Sequence, residues 1–157
     1  MTIDITPLLA SRLLERRWMM ATAESCTGGL ISAHCTELAG SSLWFERGFV
    51  TYSNSAKTDL LGVAPALIER DGAVSESVAK AMAWGAFDRS EAQVSVAVTG
   101  IAGPGGGSIE KPVGTVWLAW CIEGLTSAEK HCFSGSRAQV RDATVQCALE
   151  GLYQRLV

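Results

Sequence analysis

The sequence predicts an α/β sandwich built on a mixed sheet. Three observations carry that expectation. Short apolar runs alternate with stretches of helical periodicity along the chain, as in sheets with helical crossovers. The run from Val116 to Ile122 is continuously apolar, and the Glu123-Gly124 turn that follows sends the chain back as a hairpin. The 157 residues are 48% hydrophobic and 18% charged, which suits one domain over residues 1–157 with a substantial core.

The elements follow in order. Thr6 to Arg17 places Leu8, Leu9, Leu13 and Leu14 near helical spacing, with Pro7 in the first turn. Trp18 to Ala23 is short, apolar and bounded by a turn, and reads as a strand. After Gly28-Gly29, Leu30 to Leu38 reads as a helix, and Gly48 to Tyr52 as a second strand. Ser53 or Asn54 caps a short helix carrying Lys57 and Leu60-Leu61. Gly72 and Ser75 precede a helix from Glu76 to Ser90. Gln93 to Thr99 alternates onto Val94, Val96 and Val98 and stops at Gly100. Thr115 to Ile122 and Thr126 to Phe133 form the hairpin, and Arg137 to Leu156 the closing helix.

Composition narrows the function classes. The formal net charge is -3, and no basic cluster exceeds Arg16-Arg17, which argues against a nucleic-acid partner. A small anionic ligand needs only one or two cations and some backbone N–H groups, so it stays open. Seven apolar residues are too few to span a bilayer, and the N-terminal segment carries an acid where a secretory signal carries bases. The five cysteines form no Cys-x-x-Cys pair and read as reduced thiols of a cytoplasmic protein. With two histidines and no Cys/His cluster, neither a metal nor a cofactor is expected.

Three polar loops each follow an expected strand: Glu24 to Gly29, Ser53-Asn54 onward, and Thr99 to Ser108. In α/β sheets ligands gather outside the carboxyl ends of strands, so these loops are expected to share a crevice. Ser25 sits between a strand and a Gly-Gly helix entry, where the N–H groups of Cys26 to Gly29 would face an oxyanion. Serine at such a position is also a common helix cap. A nucleophile needs a base. His34 and His131 lack an evident acid partner, which leaves a Ser-His-Asp triad poorly supported. Lys57, desolvated near the second loop, would have a lowered pKa and accept the Ser25 proton, with the Tyr52 hydroxyl relaying or orienting it. Cys26 is a rival nucleophile at the same helix entry. The glycines from Gly100 to Gly107 suit a close approach to phosphate, although their spacing fits neither a Walker loop nor a dinucleotide fingerprint. Arg137 and Arg141 lie one turn apart, and either could meet a phosphate.

Several ordered motifs together resemble the CinA C-terminal-domain family. They are Ala23 to Gly29, Gly48 to Asn54 with Lys57, Gly72 to Ser75, Thr99 to Pro104, Lys111 to Trp117, and Phe133 to Gly135 with Arg137. The likeness runs from about Thr6 to the end. It implies a three-layer α/β/α sandwich with a mixed sheet, assembled as a homodimer or larger homo-oligomer. Stand-alone members are nicotinamide-nucleotide amidases. The resemblance therefore implies hydrolysis of nicotinamide mononucleotide to nicotinate mononucleotide and ammonia, in pyridine nucleotide recycling, without a metal. It maps the catalytic serine and lysine to Ser25 and Lys57 and a tyrosine to Tyr52. The nucleotide is expected to meet Thr27, Gly28, Gly29, Ser41, Ser42, Thr99, Gly100, Gly103 and Arg137. A nucleotide-binding module without turnover, and an amidase for another small amide, remain the alternative readings.

Overall fold

Strand β1 (Met20–Glu24) is an inner strand of the sheet, and all five of its residues are buried. The computed structural model describes residues 3–157. β2 (Phe45–Val50) and β3 (Val94–Gly100) flank β1, both parallel to it. β4 (Thr115–Ile122) runs antiparallel to β3, and β5 (Leu125–Cys132) antiparallel to β4. The order β2-β1-β3-β4-β5 is the expected mixed sheet. The hairpin between β4 and β5 turns on Glu123 (φ 47°) and Gly124 (φ 91°). Two consecutive positive φ values match the right-handed twist of the flanking strands.

Seven-residue to nineteen-residue helices cover both faces: α1 (Thr6–Arg16), α2 (Leu30–Thr36), α3 (Asn54–Leu61), α4 (Pro65–Asp71), α5 (Glu76–Asp88) and α6 (Arg137–Arg155). The strands sort their side chains by size. Met20, Val94, Val96, Val98, Val116, Leu118 and Trp120 pack with α1, α2 and α6. Ala21, Ala23, Ala97, Ala119 and Cys121 face the other way, onto α3, α4 and α5. Small residues there let α5 lie close against the sheet through Val78, Ala79, Met82, Ala83 and Ala86. The result is the three-layer α/β/α sandwich. α6 is fixed at its start by a capping box between Ser136 and Gln139, and the Trp120 indole N–H donates to the Ala148 carbonyl at 2.9 Å.

Departures from the expected elements have local causes. β1 begins two residues after Trp18, because Arg17 at φ 56° closes α1 and the Trp18 N–H returns to the Leu13 carbonyl. β2 lies earlier than Gly48–Tyr52. It is an edge strand, half exposed along its length, and shows no apolar alternation. The short α4 was not expected, although Pro65 stands at its first turn. A 3₁₀ turn at Ser41–Leu43 leads into β2.

Candidate active site

The carboxyl ends of β1, β2 and β3 release the three polar loops at one edge of the sheet, where they enclose a cleft of about 300 Å³. Ser25, Cys26, Tyr52, Asn54 and Lys57 line one side, and Thr99, Gly100, Gly103 and Arg137 belong to the other. A larger groove of about 580 Å³, lined by Arg70, Lys111, Trp117 and Lys130, lies beyond Val74 and holds neither Ser25 nor Lys57.

Lys57 is the centre of the site's chemistry. Ser53 caps α3 by accepting from the Ala56 N–H, which directs the next turn inward and leaves Lys57 only 1% exposed. Its Nζ stands 3.1 Å from Ser25 Oγ, 3.2 Å from the Tyr52 carbonyl and 3.5 Å from the Ser53 carbonyl. No carboxylate hydrogen-bonds it among the described residues. Burial lowers its pKa from the ordinary lysine value, a nearby Cys26 acting weakly in the opposite sense. An ammonium would donate to all three oxygens. A neutral amine keeps two N–H donors for the two carbonyls and leaves its lone pair toward the Ser25 hydroxyl. The surroundings therefore suit a base.

Ser25 itself is held at the end of β1 by its N–H, which donates to the Val98 carbonyl at 3.1 Å. Its neighbour Cys26 is 6% exposed, and burial pushes its thiol up to about 11. At neutral pH it stays a thiol, the less nucleophilic form. Neither histidine lines the cleft: His34 pairs with Asp4 and His131 with Glu129, each at 3.1 Å. Among the described residues no three His, Cys, Asp or Glu side chains gather as a metal site.

Two expectations about the site are corrected. Of the N–H groups expected to meet an oxyanion, Cys26 to Gly29, that of Gly28 is not free, and those that follow at the start of α2, Ile31 and Ser32, are taken as well. The fully buried Glu24 carboxylate occupies the last two, accepting from the Ile31 N–H (2.8 Å), the Ser32 N–H (3.0 Å) and the Ser32 hydroxyl (2.8 Å). It also accepts from the Thr27 hydroxyl at 2.6 Å, so that side chain is spent inside the fold. The Gly28 N–H turns back to the Ser25 carbonyl, and Gly29 serves as the α2 cap. Thr27, Gly28 and Gly29 therefore do not line the cleft. Glu24, inside the Ala23 to Gly29 motif, was not singled out from the sequence; its carboxylate anchors this loop to the N-terminus of α2.

The second correction concerns tyrosine. The carbonyl of Tyr52 reaches both Ser25 (3.4 Å) and Lys57, whereas its hydroxyl sits 3.3 Å from Arg137 Nη2. The hydroxyl is not placed to relay a proton between the pair. Arg137 Nη1 also donates to the Gly103 carbonyl at 2.9 Å, so this arginine bridges the start of the second loop and the third loop at the cleft rim. Thr99 donates to the Ala73 carbonyl at 2.9 Å and fixes the third loop to the approach of α5. Gly100 is needed for contact: a Cβ there would lie 2.6 Å from Val116 Cγ2 and 2.9 Å from the Thr115 carbonyl. Arg141 turns from the cleft to the back of the first loop. Ser41 and Ser42 precede β2, and so lie at the opposite end of the sheet from Ser25. Asn54, Ala73 and Val74 line the cleft without having been singled out, the last two within the Gly72 to Ser75 motif.

Comparison with known proteins follows the same outline. The profile of the CinA C-terminal domain matches residues 3–156. The chain is 47% identical over 158 residues to the nicotinamide-nucleotide amidohydrolase PncC of Escherichia coli strain K12, covering 99% of this chain and 94% of that protein. It is 51% identical over 149 residues to a CinA-like protein of Syntrophobacter fumaroxidans, where it spans 95% of this chain but only 35% of the relative's length. The crystal structure of the competence/damage inducible protein CihA from Agrobacterium tumefaciens superposes with a TM-score of 0.90 at 48% identity, covering 99% of each chain.

Proposed function

The chain belongs to the CinA C-terminal domain family, and on that premise we propose that it hydrolyses the carboxamide of nicotinamide mononucleotide, with Ser25 as nucleophile and Lys57 as base. One observation carries the reading: a lysine amine, buried and free of any bonded carboxylate, stands 3.1 Å from a serine hydroxyl at the mouth of a cleft. The relative named a nicotinamide-nucleotide amidohydrolase, which this chain covers almost completely, supports the substrate class.

The reaction proceeds in two balanced halves. Neutral Lys57 takes the Ser25 proton as Oγ bonds to the carboxamide carbon. The tetrahedral oxyanion collapses, the C–N bond breaks, and Lys57 returns the proton to the departing nitrogen, releasing ammonia. Water then gives a proton to Lys57 and attacks the ester, and Ser25 leaves with that proton. The product is nicotinate mononucleotide. Arg137, exposed at the start of α6 beside the Gly103 loop, is the cation we assign to the phosphate, with Thr99, Gly100 and Gly103 forming the cleft wall near it. The enzyme is read as part of pyridine nucleotide recycling, acting in the cytoplasm as a homodimer or larger homo-oligomer. Five unpaired cysteines suit a reducing compartment, and no described helix is long and apolar enough to cross a membrane.

Rapid quenching of the enzyme with excess nicotinamide mononucleotide, followed by peptide mass analysis, tests the assignment. The expected adduct is the acyl ester on the peptide containing Ser25, assigned to that residue by fragmentation. An adduct on Cys26 would replace the serine reading by a thiol one.

A further inference from the structure

We propose that Arg141 is a positioning residue for the nucleophile's loop, holding the Cys26–Thr27 and Thr27–Gly28 peptide planes just beyond Ser25; the inference rests on the Ser25–Lys57 reading above. Arg141 stands one turn beyond Arg137 on α6 and reaches the back of the first loop. Its Nε donates to the Cys26 carbonyl at 3.1 Å and its Nη2 to the Thr27 carbonyl at 3.2 Å. The rest of the loop is anchored otherwise. The Ser25 N–H is taken by Val98, the Gly28 N–H by the Ser25 carbonyl, and the start of α2 by Glu24. Among the described residues only Arg141 takes the Cys26 carbonyl.

A trans peptide is planar, with its N–H opposed to its C=O. Holding the Cys26 carbonyl toward α6 therefore aims the Thr27 N–H away from α6. Holding the Thr27 carbonyl does the same for the Gly28 N–H, which indeed closes on Ser25. The Cys26, Thr27 and Gly29 N–H groups find no hydrogen-bond acceptor on another residue among the described residues, unlike those of Ser25 and Gly28. They are the donors that this loop retains for a developing oxyanion, and such donors act through being fixed in advance. A guanidinium, planar and forked, can hold two successive carbonyls at once; an ammonium on a flexible stem holds them as a point charge. Arg141 does not itself line the cleft, so its effect passes through the loop that carries Ser25.

The test measures Ser25 directly. Wild type, Arg141→Met and Arg141→Lys are labelled with a fluorophosphonate, and the rate of mass gain is followed beside kcat and KM for nicotinamide mononucleotide. Arg141→Met is expected to lower both the labelling rate and kcat about a hundredfold, the cost of a misplaced reacting group, with KM little changed. Added guanidinium should restore part of both rates. Arg141→Lys should fall between the two, and it carries the same test if Arg141→Met fails to fold. A folded Arg141→Met that labels at the wild-type rate would overturn the inference, as would a raised KM at unchanged kcat, which would place Arg141 on the substrate. Labelling needs no amide. A wild type that labels yet releases no ammonia would sink the amidase reading alone, and the labelling rates would still decide the role of Arg141.

Discussion

Lys57 Nζ and Ser25 Oγ are 3.1 Å apart, and among the described residues the amine bonds otherwise only to the carbonyls of Tyr52 and Ser53. A buried cation without a counter-ion is costly, and that cost becomes basicity only if the amine gives up its proton.

The pH profile should report this directly. Burial lowers the Lys57 pKa below its ordinary value of 10.5, so kcat/KM will climb with pH on a limb whose midpoint lies below 10.5. Lys57→Met and Lys57→Arg should both remove activity, the latter because a guanidinium does not deprotonate. A rate independent of pH up to 10.5 would contradict the role.

The same burial makes a stability prediction of definite sign. The unfolded chain binds the Lys57 proton more tightly than the folded one, so the native state is penalised at pH below the folded pKa. The penalty fades as pH rises from there toward 10.5. Lys57→Met, of similar length and uncharged, should therefore melt higher than wild type at pH 7 while being inactive. Thermal unfolding monitored by circular dichroism at pH 7 and pH 10 checks both the sign and its narrowing.

Glu24 should behave as a structural anion. Replacing it by Gln presents an amide N–H₂ to donors that now find a carboxylate oxygen, at Ser32 or at Ile31 and Thr27. Glu24→Gln should lose about 2–3 kcal/mol in urea unfolding, the cost of leaving buried partners unsatisfied. An unchanged midpoint would mean that the loop does not depend on this carboxylate.

These residues also mark what was legible in the sequence. β3 and β4 declared themselves through Val94, Val96, Val98 and the run to Ile122, because buried strands must be apolar. β2 did not, because an edge strand with half its residues exposed carries no such pattern. Ser25, Lys57, Thr99, Gly100 and Gly103 were readable as loop residues following strands, and the parallel sheet brings them together. Ser41 and Ser42 were not placeable without topology, since only the direction of β2 puts them at the far end. Thr27 and the glycines beside it looked free for substrate because the sequence does not show that Glu24 folds back over them.

Cys26 should prove dispensable for chemistry. Its thiol is pushed up to about 11 and 6% exposed, so Cys26→Ala is expected to retain most of kcat and to lose on the order of 1 kcal/mol of stability from the vacated volume. Iodoacetamide should modify the exposed Cys132 well before Cys26. Loss of activity in a stably folded Cys26→Ala would move the nucleophile by one residue.

Gly100→Ala should be damaging out of proportion to its size. The added methyl would meet Val116 at 2.6 Å and the Thr115 carbonyl at 2.9 Å, which forces β3 from β4 just where the third loop begins. The account expects a raised KM together with a lowered melting temperature. A variant indistinguishable from wild type in both would show that this contact has slack.

The most direct test is ammonia release from nicotinamide mononucleotide by purified wild type and by Ser25→Ala, each with EDTA present. The account predicts sustained release by wild type, undiminished by the chelator, and a loss of several orders of magnitude in the alanine variant. Release by Ser25→Ala at a rate near that of wild type would contradict the serine–lysine account, and no release by a folded wild type would contradict the substrate.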